Sequence, residues 1–489
     1  MPLSLISAAF ALFFLSPNVK TNFLSVFISF LFIIISLFIS NHLFDSSYDG
    51  PWYHQAAALF LKEGWNPIYV RAADFLAKHW DFKILGVPYI DSYPKFSEIV
   101  AANIFYLTGN IESGKSFNFL FSIILFFYSM YILTEFFKEN DFLLSLFLSL
   151  LLVLNPVCLA QIYTYDVDGL VYNSFIILLL SIIEMEKTDY NSKKARAILI
   201  MSTLILMSTK STGIFYAFET YALWMIYLKI KKYNLNVFSK NIFILAFLFI
   251  LTGINPYLTN LYQGKHLFYP IMGQDKIDIM ATNTPRMFLN KSMPYKLFIS
   301  TFNHVDDDFK EDFFKGKRIQ LKLPFTYDDY ELSKLPYADI RICGFGVWWS
   351  GILLLSVLLF PFVWSASAPD KALNRLILLV LLTTVLTNPV NWWARYVPQF
   401  YAFPVFILLF LSQRKNIGWH ICIYGMLSLI YINSFITHQA VLKNTFNFTK
   451  KQQMSSLKND KSAIVPEMFL VPEQNRTAEI LMQAKKKTD

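Results

Sequence analysis

The stretch HLFDSSYDGPWYHQAAALF places two carboxylates, a tryptophan, a tyrosine and a histidine between Asp45 and His54. A chain leaving an apolar run needs polar residues of any kind, so this concentration of titratable and aromatic side chains makes Asp49 and His54 candidates for chemistry. The same residues admit a structural reading. Trp52 and Tyr53 suit an interfacial belt, and Asp49 suits the N-cap of a helix with Pro51 in its first turn, running to a stop at Gly64. Asp45 is the weaker candidate, because a lone carboxylate at the end of an apolar run is commonplace.

A second acidic pair lies in QIYTYDVDGLVY. Asp166 and Asp168, at i and i+2, can share a divalent cation or bind polar substrate groups. They can equally cap a helix beginning near Gly169, where the helix dipole favours negative charge. In TNPVNWWARYVPQFYAFP, Arg395 sits in a short turn between two apolar runs. Arginine so close to hydrocarbon snorkels or pairs with an anion, and its planar fork fits phosphate or carboxylate. Lys210, in LMSTKSTGIF, lies near the end of an apolar run and calls for a partner. Lys95, in DSYPKFSEI, reads on its own as a solvated charge. The run Asp306–Asp308 lacks the ligand spacing and glycine turn of a calcium loop and reads as a solvated face. Phosphate-loop, GxSxG and HExxH patterns do not occur. Cys158, Cys343 and Cys422 define neither a disulfide framework nor a zinc spacing and are expected to pack in the core.

These residues need elements to hold them, and composition says of what kind. The chain has 489 residues, 55% of them hydrophobic and only 16% charged. Repeated apolar runs are long enough to cross a hydrocarbon core of about 30 Å. The expectation is an all-α polytopic membrane protein with apolar runs near 22–43, 118–134, 142–158, 170–184, 197–213, 214–228, 240–255, 343–364, 374–388, 398–412 and 417–437. With a short retained segment at 4–16, that makes about 11–12 spans. Two long loops, 45–117 and 256–342, and a polar tail, 438–489, interrupt the pattern. The net charge of +9 is read through the loops as attraction to anionic lipid and does not call for nucleic acid.

Short-loop basic residues set orientation. Lys187, Lys193, Lys194 and Arg196, then Lys229, Lys231, Lys232 and Lys240, then Lys371 and Arg375, then Arg414 and Lys415, all fall on one face, expected to be cytoplasmic. Both long loops and the acidic and Arg395 motifs fall on the other. The lysine-rich tail comes out on that far side as well.

The order of these elements resembles the GT-C superfamily of membrane glycosyltransferases, above all the bacterial branch that uses polyprenyl-phosphate sugars. YDGPWYHQAAALFLKEGWNP, YTYDVDG, GFGVWW after a long loop, and WARYVPQ carry the likeness, which extends to about residue 437. The resemblance implies a 1–437 catalytic module with both long loops exoplasmic. It implies Asp49 as base, Asp166 or Asp168 as the second acidic motif, and Arg395, with Lys95, as holders of the lipid phosphate. It also implies a polyprenyl-phosphate-sugar donor, an acceptor hydroxyl on a cell-envelope glycan, lipid or protein, and an inner-membrane protein whose site faces the exterior. Many relatives carry Asp-Glu where this chain has Asp49-Gly50, which leaves open whether Asp49 acts alone or with His54. The motifs name no cofactor, and a divalent cation, at Asp166 and Asp168 if anywhere, is allowed. A transporter or flippase, a polysaccharide polymerase and a non-catalytic scaffold are the alternatives. A transporter would place its charges near midplane in two related halves.

Overall fold

The computed structural model describes residues 19–80, 86–137, 141–233, 235–306, 319–365, 371–414 and 417–459. The 4–16 segment, most of the acidic run after Asp306 and the end of the tail lie outside them. Each apolar run is built as helix over most of its length. The helices that form the bundle and frame its end are α1 (Val19–His42), α2 (Gln55–Lys62), α3 (Phe96–Thr108), α4 (Ser116–Phe136), α5 (Phe142–Val153), α6 (Asp168–Lys187) and α7 (Lys193–Thr209). They continue with α8 (Ser211–Ile230), α9 (Asn236–Thr252), α10 (Trp349–Ser365), α11 (Lys371–Leu386), α12 (Ala402–Leu411) and α13 (Ile417–Asn459). Among the described residues there is no strand, only the isolated bridges Asn303–Leu321 and Asp306–Ile342.

α6 is the axis. It is buried from Asp168 to Met185, all round its circumference, as an apolar helix at the centre of a bundle must be. α4, α7 and the turn before α12 pack against it, and α8 against α11. Outside, α1 turns Phe27, Phe30 and Phe38 outward, and α9 turns out Phe243 and Phe247. Such rings are stable facing lipid tails and unstable facing water. Four described helices, α1, α4 (with the turn leading into it), α6 and α13, are long and apolar enough to cross a bilayer alone; α9 with the bent segment after it makes a fifth. The protein is an integral membrane protein.

Where the apolar pattern pauses, the helix breaks for identifiable reasons. α5 ends before Asn155-Pro156, where the proline lacks an N–H and the Asn155 side chain caps the N–H of Val157 at 3.0 Å. Lys210 is extended (φ −150, ψ 142) and makes an elbow between α7 and α8. α2 stops at Lys62, and Gly64 takes φ +93, a conformation that favours glycine. The polar tail begins without a break: α13 passes straight through position 438.

The first long segment has its own small core. Ala56, Leu59 and Phe60 of α2 pack with Ala101 and Phe105 of α3, and with Tyr165, Val167 and Leu170 from the second acidic motif. The two motifs therefore sit on one packed unit at the end of α1 and the start of α6. Cys158 and Cys343 are buried, whereas Cys422 is exposed, on the outer side of α13.

Candidate functional site

Arg395 lies in a 3-10 turn, Ala394–Tyr396, between α11 and α12. The turn is held by Asn388, whose amide donates to the Tyr396 carbonyl at 3.0 Å, and by the Tyr216 hydroxyl on the same carbonyl. Trp393 lies against the guanidinium, its ring centroid 5.6 Å from Cζ, and stacks on Trp392. Both tryptophans are buried. They shape the arginine's surroundings, and neither has a free face for a sugar.

All three guanidinium nitrogens meet carboxylates. Nε donates to Oδ2 of Asp168 at 2.8 Å, Nη2 to Oδ2 of Asp49 at 2.8 Å, and Nη1 pairs with Asp339. Asp168 is the first residue of α6. It does not cap that helix with its side chain; Oδ1 pairs with Lys210, and Oδ2 also accepts from the Gln161 amide at 2.9 Å. The Lys210 ammonium lies 4.3 Å from the Tyr396 ring centroid, which closes the ring of contacts. Four segments far apart in the chain thus bring Asp49, Asp168, Lys210 and Arg395 together, with Asp339 as a fifth member.

Asp49 also departs from its helix-cap reading. The helix does begin there, as a π-turn Gly50–His54 leading into α2, but Asp49 makes no side-chain cap. Its Oδ2 is spent on Arg395, and Oδ1 accepts no hydrogen bond among the described residues. Tyr53, Tyr89 and Tyr93 pack together beside it, and Trp52 lies 5.0 Å from Tyr89 by ring centroids.

Asp166 is 1% exposed, and neither carboxylate oxygen has a hydrogen-bond partner among the described residues. Burial pushes its carboxyl well above the usual carboxylate range, and Arg395 offsets this only in part. Asn118 fixes its backbone, donating to the carbonyls of Thr164 at 3.0 Å and Asp166 at 2.8 Å. A cation shared by Asp166 and Asp168, which their spacing allows, finds both oxygens of Asp168 already paired.

His54 and Lys95 do not join the Arg395 cluster. Nδ1 of His54 lies 2.6 Å from Glu98, which also accepts from Ser97 at 2.9 Å. Lys95 is buried, not solvated, and its ammonium donates to the Tyr93 carbonyl. Burial pulls its pKa down from 10.5 to about 8, against the opposing pull of Glu98 and Asp91.

Sequence reasoning undervalued Asp45. It is 2% exposed; Oδ2 accepts the Tyr165 N–H at 2.7 Å and Oδ1 the Ser47 N–H at 2.8 Å. Its own N–H donates to Glu112 at 3.0 Å, and Glu112 pairs with the fully buried Lys115. Asp45 therefore ties the Asp49 motif to the Asp166 motif. It also explains Gly50, because a Cβ at that position would collide with the Asp45 carboxylate and the Ser47 hydroxyl. Sequence reasoning missed Asp339, Gln161 and Asn118 altogether. Gln161 alone gave a signal, as a polar residue closing an apolar stretch before the second motif.

No family model matches the chain, and no curated protein matches it. Among solved structures it is similar to ArnT from Cupriavidus metallidurans bound to undecaprenyl phosphate. That match covers 94% of this chain and 84% of the other, with a TM-score of 0.49 and 10% identity. Against ArnT from the same organism in the apo state, the coverages are 95% and 85%, with a TM-score of 0.47 and 9% identity.

Proposed function

We propose that the protein is a membrane glycosyltransferase that moves a sugar from a polyprenyl-phosphate donor to an acceptor hydroxyl of the cell envelope, with its site on the exoplasmic side. The observation that carries this reading is the Arg395 cluster: a carboxylate with one uncommitted oxygen, Asp49, fixed by a buried guanidinium at 2.8 Å. The GT-C likeness of the motifs that supply these residues points the same way.

Oδ1 of Asp49 accepts the proton of the acceptor hydroxyl as its oxygen bonds to the anomeric carbon. The bond from that carbon to the phosphate oxygen breaks, and its electron pair leaves with the lipid phosphate. Attack opposite the leaving group inverts the anomeric centre. Arg395 aims Asp49, and Asp168 and Lys210 lock Arg395. Cations near the departing phosphate stabilise its growing charge, an effect worth about 3–4 kcal/mol per donor removed. Arg395 serves there if the phosphate displaces Asp339, whereas Lys95 stays with the Tyr93 carbonyl, outside the cluster. Confining the donor to the membrane plane and placing both substrates against one cluster supplies the remaining advantage.

The test is transfer by purified protein from a polyprenyl-phosphate sugar. Asp49→Asn lowers turnover by about 10²-fold or more while donor binding and folding persist. Normal turnover by that variant rules Asp49 out as the base. Transport of the lipid across vesicles without any transfer would favour a flippase.

A further inference from the structure

In the segment between α9 and α10, well apart in sequence from the motifs above, His304, Asp328 and Glu331 bring one nitrogen and two oxygens within 4.8 Å of one another. Nδ1 of His304 lies 3.5 Å from Oδ2 of Asp328 and 3.6 Å from Oε2 of Glu331. Both separations exceed a normal hydrogen bond. They approach the spacing of about 3.4 Å that ligands take from one another when each lies about 2.1 Å from a tetrahedral centre.

Each carboxylate is anchored through its other oxygen. Oδ1 of Asp328 accepts the Glu331 N–H at 2.9 Å, capping the short helix Asp329–Lys334. Oε1 of Glu331 accepts the Val305 N–H at 2.8 Å and pairs with Lys322. What remains, Oδ2 and Oε2, is turned toward the same imidazole nitrogen. Glu331 is 0% exposed, and its Oε2 has no hydrogen-bond partner among the described residues. An oxygen buried in that state is costly, and a cation between the three groups removes the cost.

We propose that His304, Asp328 and Glu331 form a zinc site, binding through Nδ1, Oδ2 and Oε2 with a fourth position left to water. Imidazole with two carboxylate oxygens at tetrahedral spacing suits zinc. Magnesium and calcium prefer six or more oxygens. Lys322 and the Val305 N–H are the outer partners that hold Glu331 in the orientation of a one-oxygen ligand. His304 and Asp328 are partly open to solvent, which gives the ion a way in. Asp328 and Glu331 open the helix Asp329–Lys334, and His304 follows the helix Met293–Phe302 by two residues. Two residues beyond His304, Asp306 exchanges backbone hydrogen bonds with Ile342 at 3.2 and 3.1 Å, close in sequence to Asp339. The ion therefore staples the segment that delivers Asp339 to Arg395. The role is structural and does not depend on the transfer reaction.

The test uses the purified full-length chain, desalted, with bound zinc measured by mass spectrometry and affinity by competition with a chromogenic chelator. Asp328→Asn is the main variant because asparagine caps a helix as well as aspartate, so folding is preserved. His304→Ala is the second. Wild type is expected to hold about one zinc per chain, with affinity in both variants reduced about 10-fold or more. Added zinc is expected to raise the wild-type Tm and leave both variants unmoved. Absence of zinc binding in wild type, equal binding by wild type and both variants, or preference for magnesium over zinc overturns the proposal.

Discussion

Arg395 has three nitrogen atoms and three carboxylates to meet them, and that saturation governs what the residue can do. Asp168 is the most deeply buried of its partners, at 1% side-chain exposure, while Asp49 and Asp339 are each at 20%. A phosphate approaching from outside therefore competes with Asp339 or Asp49, and displacement of Asp49 would remove the base. On this basis Asp339→Asn frees a donor nitrogen for the phosphate. In steady-state transfer assays the variant should show a donor KM several-fold below wild type, within the roughly tenfold that about 1.4 kcal/mol represents, with kcat little changed. A donor KM that rises would assign Asp339 to substrate binding instead. At the same scale, Asp166 differs from its neighbour Asp168 through environment alone. One carboxylate is paired by two cations, and the other is buried with none in contact.

Beside the packing of the spans, one buried carboxylate joins the elements that carry the two acidic motifs. Asp45 links the end of α1, the π-turn at Gly50 and the loop before α6. Burial, helped by the Glu112 charge and opposed by Lys115, pushes its carboxyl from 3.8 up to about 6. The folded chain then holds this proton more tightly than the unfolded chain. The contribution to stability is complete below about pH 4 and is lost as pH rises through about 6, a change of about 3 kcal/mol. Denaturant unfolding followed between those limits should show that decline in wild type. Asp45→Asn should flatten it; an unchanged slope in the variant would place the titrating group elsewhere.

This is also where sequence and structure part. The helices were legible because apolar runs of that length have few other places to go. Asp49, Asp168, Lys210 and Arg395 stood out because charge at the end of such a run demands a partner. Which partner was not legible: it depends on Gln161, Asn118 and Asp339 arriving from other segments. His54 and Lys95 carry the same kind of signal and are claimed by Glu98 and the Tyr93 carbonyl instead. Asp45 looked ordinary because its importance lies in accepting a backbone N–H from Tyr165, 120 residues away.

At the scale of the whole molecule, all of these groups gather at one end of the bundle. α1 ends there, α6 and α8 begin there, and the α11–α12 turn closes over it. At the other end Arg375 and Arg414 donate to the carbonyls of Trp364 and Phe362, at 2.7 and 2.6 Å, where α10 finishes. α13 has 43 residues, about 64 Å at 1.5 Å per residue, roughly twice the hydrocarbon core. Its second half runs back to the site end, where the Thr449 hydroxyl accepts the Phe44 N–H at 3.0 Å. The polar tail is thus in part a strut against the segment that carries Asp45 and Asp49. One-ended clustering is the pattern expected of chemistry at an interface, and it differs from the midplane charges and paired halves of a transporter.

The central claim is that Asp49 and Arg395 work as a single unit in sugar transfer. A double-mutant cycle on transfer turnover tests it most directly, using Asp49→Asn, Arg395→Gln and the two combined, with folding checked in each. The double variant should be no slower than the slower single variant by more than about threefold, since either change disables the same device. Losses that multiply, as they would for two residues acting independently, would contradict it.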